Sequence, residues 1–270
     1  GLHQVPRRGL RHRGVRARAL QRGAAKSKQF LRLLLHRDDS KFISKGDPMG
    51  KMIELNASDG HKLTAYRAEP SGKPRGGIVV IQEIFGVNSH IKQVADGYAA
   101  DGYLAIAPAL FDRVQKNVEL GYTPDDIAKG REIRGKVTNE MAVKDAEAAV
   151  KAASGAGKVG IVGYCWGGFV TWLAANKISG LSAAVPYYGG GILDNTGLAP
   201  KVPLMGHFGD KDQHIAVDGV KKLAEKYPQH QIFIYSADHG FNCDHRGSYN
   251  AAAAKQARQR TLEFFRKHVG

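Results

Sequence analysis

The chain has 270 residues, 43% hydrophobic and 24% charged, which is enough for one sizeable core and excludes disorder throughout. Its formal net charge of +15 suggests a polyanion partner until the charge is located: residues 1–48 hold thirteen Lys/Arg against Asp38, Asp39 and Asp47, so they carry +10 and the remainder +5. A body so mildly basic gives no strong case for nucleic-acid binding by the folded part.

In chain order, residues 1–48 read as a basic tail, expected to be disordered, ahead of one domain over 49–270. The first 37 residues contain no acid. Three readings fit: an artificial or over-extended start, a targeting segment, or a phosphate-neutralising arm. Leu31, Leu33, Leu34 and Leu35 offer one helical turn, too short to anchor anything. The pattern then turns strand-like over 52–57 and 63–68 about Asp59-Gly60, a hairpin signal. Residues 78–82 are an apolar, β-branched run of the kind buried on both faces of a sheet. Ser89 can cap a helix running to Asp101, and the apolar stretch 103–107 follows. Thr123 or Asp125 starts further helix. Ala142, Ala146, Ala149, Val150 and Ala153 recur at helical spacing over 138–153. Strands are expected at 159–162, 181–187, 202–208 and 231–236, and helices at 216–227 and 249–268. Strands alternating with helices predict an α/β fold, a mainly parallel sheet with helices on both faces.

Residues 159–176 carry no charged side chain, a length that would nominate a membrane span. Gly160, Gly163, Gly167 and Gly168 punctuate it, however, and a buried strand, a turn and a core helix explain it better. The expectation is a protein without a membrane span. The chain's two cysteines, Cys165 and Cys243, cannot make a disulfide framework. They point to a reducing, cytoplasmic setting and a reactive thiol.

That uncharged run carries the chemistry. A β-branched strand leads into Gly163-Tyr164-Cys165-Trp166-Gly167-Gly168, and an apolar helix follows. The arrangement matches a nucleophile elbow with Cys in place of the usual Ser. Gly163 and Gly167, two positions either side, allow the strained turn, and the following helix places the thiol at an N-terminus that favours negative charge. A thiol needs a base, and the base an orienting carboxylate. The strand 202–208 runs into Gly209-Asp210-Lys211-Asp212, and the strand 231–236 into Ala237-Asp238-His239. Both lie past carboxyl ends of parallel strands, where open α/β sheets place their sites. His239 is the base; Asp210 and Asp212 compete as the acid, and Asp238 reads as a turn residue. His207 reads as a satisfied His within a strand, and His214, His230, His245 and His268 as surface residues. Cys243-Asp244-His245 offers donors, but no cluster has metal spacing. Neither metal nor cofactor is expected.

With these residues in place, the body from Met52 to Val269 resembles the dienelactone hydrolase (carboxymethylenebutenolidase) family of α/β-hydrolases. The matching segments are 82–88 after the first buried strand, 163–168, 208–212 and 239–241. The resemblance implies a Cys165–His239–Asp212 triad, and it is what favours Asp212 over Asp210. It implies that Glu83 helps generate the Cys165 thiolate. It further implies that Ile84 and Trp166 donate backbone N–H groups to the oxyanion, and that Arg113 binds a substrate carboxylate. Arg246 stands further beyond His239 than the family's second Arg.

The expected function is hydrolysis of a small lactone or ester through an acyl-thioester. The rivals are a broader carboxylesterase or thioesterase, and a non-catalytic binding protein that keeps the fold. The chain is expected to act as a monomer or a dimer.

Overall fold

A computed structural model describes residues 50–270. The tail, the leucines at 31–35 and Met49 lie outside the described residues. The chain begins with a hairpin, β1 (Lys51–Asn56) and β2 (Lys62–Ala68), paired antiparallel with Asn56 opposite Lys62. Six further strands follow: β3 (Gly77–Ile81), β4 (Leu104–Pro108), β5 (Val159–Tyr164), β6 (Leu181–Tyr187), β7 (Met205–Gly209) and β8 (Gln231–Tyr235). They form one sheet in the order β1-β2-β4-β3-β5-β6-β7-β8. β2 meets β4 antiparallel, and every pair from β4 to β8 is parallel. This is an α/β-hydrolase fold.

The helices are α1 (Ser89–Ala100), α2 (Pro124–Gly135), α3 (Asn139–Ala153), α4 (Trp166–Lys177), α5 (Val217–Lys226) and α6 (Ala251–His268). All residues of β3, β4 and β5 are buried, as β-branched and small apolar runs must be when helices cover both faces. α1 and α3 pack on the β3–β4 region, α4 on β5 and β6, and α6 on β6 and β7. Among the described residues no helix is long and apolar enough to cross a membrane. The uncharged run at 159–176 divides into β5, a turn and α4.

Local chemistry shifts two boundaries and selects between two starts for a third element. Asn88, not Ser89, caps α1, its side chain accepting the N–H of Ile91. Thr123 opens α2 in a capping box with Asp126, and Pro124 takes the first helical position, where its missing N–H costs nothing. β7 starts at Met205 rather than 202, because Pro203 has no N–H to give a ladder; its carbonyl still accepts from Ala184.

Candidate active site

β5 ends in a turn that nothing but small neighbours would permit. Cys165 sits at φ 56° and ψ −118°, a left-handed backbone conformation strained for any side chain. A Cβ on Gly163 would collide with the Gly167 carbonyl and Thr171, and one on Gly167 with the carbonyls of Ile81 and Gln82. The second collision shows that the elbow lies directly against the segment leading from β3 to Glu83. Cys165 is the N-cap of α4, so its thiol stands at the helix N-terminus, where the dipole and the first unpaired N–H groups favour negative charge.

The loops after β7 and β8 complete the arrangement. His239 Nε2 is 3.1 Å from Cys165 Sγ, and His239 Nδ1 is 2.7 Å from Asp212 Oδ2. Asp212 Oδ1 accepts the backbone N–H of His214 at 2.8 Å, which fixes the carboxylate. Asp212 is buried, whereas Asp210 and Asp238 are exposed; Asp238 accepts the N–H of His239 and so supports the turn. Burial by itself favours neutral His239. The Cys165 charge and the bonds to Asp212 and Cys165 outweigh it and raise its pKa to about 10. Tyr188, at φ 35°, sets its ring 5.2 Å from the imidazole.

The thiol opens on a cavity of about 340 Å³, lined by Cys165, His239, Ile84, Phe85, Trp166 and Phe169 among others. Three arginines, Arg131, Arg134 and Arg246, also line it. Arg134 stands over the Trp166 ring at 5.6 Å. The sequence reading missed Arg131 and Arg134 because α2 has no apolar stripe to orient it: only Gly130 and Ile133 are buried on it. His214, read as a surface residue, lines the same cavity and meets the His239 ring edge-on at 5.2 Å.

Glu83 is only 1% exposed. Arg246 Nη1 donates to its Oε1 at 3.2 Å, and the Tyr122 hydroxyl donates to its Oε2 at 3.5 Å. Arg246, despite its later position in sequence, therefore reaches the site. Arg113 does not line the cavity. Its guanidinium is engaged by Asp145 through Nε and Nη2, at 2.9 and 2.6 Å, and by Asp59 through Nη1 at 2.8 Å. Four of its five N–H donors are held by two carboxylates, and the side chain stands outside the cavity lining. His207 is fully buried and satisfied by Tyr235 and Thr261, as a core histidine.

The sequence profile of the dienelactone hydrolase family matches residues 63–269. A protein from Synechocystis sp., provisionally assigned as a carboxymethylenebutenolidase, is 36% identical over 229 residues, covering 77% of this chain and 93% of that protein. A carboxymethylenebutenolidase from Pseudomonas putida is 33% identical over 226 residues, covering 78% and 94%. The crystal structure of a provisionally assigned dienelactone hydrolase from Klebsiella pneumoniae superposes with a TM-score of 0.71 at 32% identity, over 81% of this chain and 99% of that one.

Proposed function

The chain belongs to the dienelactone hydrolase family of carboxylic-ester hydrolases, and from that premise we propose that Cys165 is its nucleophile, His239 its acid–base and Asp212 the partner that orients His239. One observation carries the assignment: sulfur, imidazole and carboxylate stand in a continuous chain of 3.1 and 2.7 Å contacts, with the sulfur at a strained turn opening on the cavity.

The Cys165 thiolate adds to the carbonyl carbon of a lactone or ester, and the carbonyl electron pair moves to oxygen. Ile84 and Trp166, both on the cavity wall, hold that oxyanion through backbone N–H groups. As the tetrahedral adduct collapses, the C–O bond breaks and His239 Nε2 gives its proton to the departing oxygen, leaving an acyl-thioester. Water then loses a proton to His239 and adds to the thioester carbonyl; the thiolate departs, and acid and thiolate–imidazolium pair are regenerated. Where Cys165 is protonated, Glu83 accepts the thiol proton from its place beside the elbow, once an incoming anion draws Arg246 away from it.

The substrate is small, bears a carbonyl ester or lactone, and carries an anionic group. Arg131, Arg134 and Arg246 supply the cationic side of the cavity, and Phe85, Trp166 and Phe169 an apolar one. Those aromatic walls also favour a second reading, a broader carboxylesterase acting on aryl esters. A panel of anionic lactones, neutral lactones, aryl esters and thioesters separates the two. Preference for the anionic lactones supports the first reading, and preference for neutral aryl esters the second. Retention of most activity by Cys165→Ala would sink the assignment of the nucleophile. Two free thiols support a reducing compartment such as the cytoplasm.

A further inference from the structure

Behind the cavity wall, three chemically different donors converge. One oxygen of Glu83, one ring nitrogen of His90 and the sulfur of Cys243 all lie within 4.8 Å of one another. The three residues are 1%, 3% and 0% exposed. Among the described residues the buried His90 Nε2 has no nitrogen or oxygen partner, and the Cys243 thiol is the hydrogen-bonding group beside the ring. His90 Nδ1 lies 3.5 Å from Asp244 Oδ1. A ligating histidine is commonly held in this way: one nitrogen faces the metal while the other is held by a carboxylate.

We propose that Glu83, His90 and Cys243 form a buried three-ligand binding site for a zinc ion, whose occupancy draws Glu83 away from Arg246 and stops turnover. A set of one thiolate, one imidazole and one carboxylate suits zinc, with solvent in the fourth position. Zinc holds such donors at about 2.0–2.3 Å, hence within about 4 Å of one another, so small side-chain adjustments close the site. Binding releases the Cys243 thiol proton to solvent. The site itself does not depend on the catalytic assignment. The inhibition does, since it rests on Glu83 assisting Cys165.

Cobalt(II) is the probe, because a thiolate ligand gives it an intense near-ultraviolet charge-transfer absorption that nitrogen and oxygen ligands do not. The chain has two cysteines, so in full-length Cys165→Ala any such absorption belongs to Cys243. The expected result is a saturable band at one cobalt per chain, displaced by zinc and absent from Cys165→Ala/Cys243→Ala. Adding His90→Asn or Asp244→Asn to Cys165→Ala weakens binding by about tenfold or more, with circular dichroism verifying that each variant is folded. Absence of the band, or a band indifferent to His90→Asn in the folded protein, overturns the site. With Cys165 intact, Cys243→Ala raises the zinc concentration for half-inhibition of ester hydrolysis about tenfold or more, in line with a lost ligand. An unchanged value beside an intact cobalt band overturns the inhibition alone. Lack of turnover on any ester removes the catalytic reading and leaves the cobalt result standing.

Discussion

Arg246 Nη1 donates to Glu83 Oε1 at 3.2 Å across 163 positions of sequence, joining the loop after β3 to the loop after β8 at the edge of the cavity. Glu83 is 1% exposed and Arg246 side-chain exposure is 19%, so the carboxylate is buried and its cation mostly so. Arg246→Ala leaves a buried carboxylate without its cation and is expected to destabilise the fold by about 3 kcal/mol. Glu83→Gln/Arg246→Met recovers most of that loss in urea denaturation but not the activity. Failure of the double variant to recover stability would remove the pair from the account.

The state of His239 gives a pH dependence with a definite sign. Its folded pKa, held up to about 10 against the desolvation of burial by Cys165 and Asp212, exceeds the ordinary histidine value of about 6.5. The imidazolium therefore contributes stability that is complete below about pH 6.5 and is lost as pH rises through about 10. The same proton serves the leaving group, so kcat/KM falls along that upper arm. Cys165→Ala removes the largest raising influence, and the His239 imidazole signals followed by NMR titrate at lower pH. An unmoved titration would contradict the thiolate–imidazolium pair.

Asp212→Asn keeps the shape but presents the wrong partner to His239 Nδ1. Loss of about 10⁴-fold in kcat is expected, with little change in KM. Asp210→Asn, at an exposed site, leaves both within twofold or so of the parent, as surface substitutions do. Equal effects of the two substitutions would reopen the choice of acid.

Arg113 and the cavity arginines part company in their effects. Asp145 is fully buried against Arg113, so Arg113→Leu strands that carboxylate and lowers stability by about 3 kcal/mol. KM for an anionic lactone stays put in the folded fraction. Arg131→Gln and Arg134→Gln leave stability nearly unchanged and raise that KM about tenfold each, the worth of one charge-assisted hydrogen bond; KM for neutral esters hardly moves. A large KM effect from Arg113→Leu would return that residue to the substrate.

Much of the scaffold could be read in one dimension because its signals are local. The β-branched, uncharged run at 159–164 and the small residues about Cys165 encode strand, elbow and helix by sterics alone. β6 runs over Leu181–Tyr187, as its pattern predicts. Boundaries drifted where a single side chain decides, as with Asn88 capping α1. Arg131 and Arg134 stayed illegible because α2 shows no periodic face.

The sequence by itself determined the order of chemistry: a thiol at an elbow, then an acid and a histidine beyond later strands. Strand periodicity and glycine sterics act between near neighbours, so they are written along the chain. The resemblance already favoured Asp212 over Asp210; only the tertiary structure shows Asp212 buried against His239 with Asp210 exposed, Arg113 engaged by Asp145, and Arg246 brought onto Glu83. Those outcomes depend on which charges share a buried volume, and that is fixed by how the loops from β3, β7 and β8 converge at one end of the sheet and by how the segment after β4 meets α3.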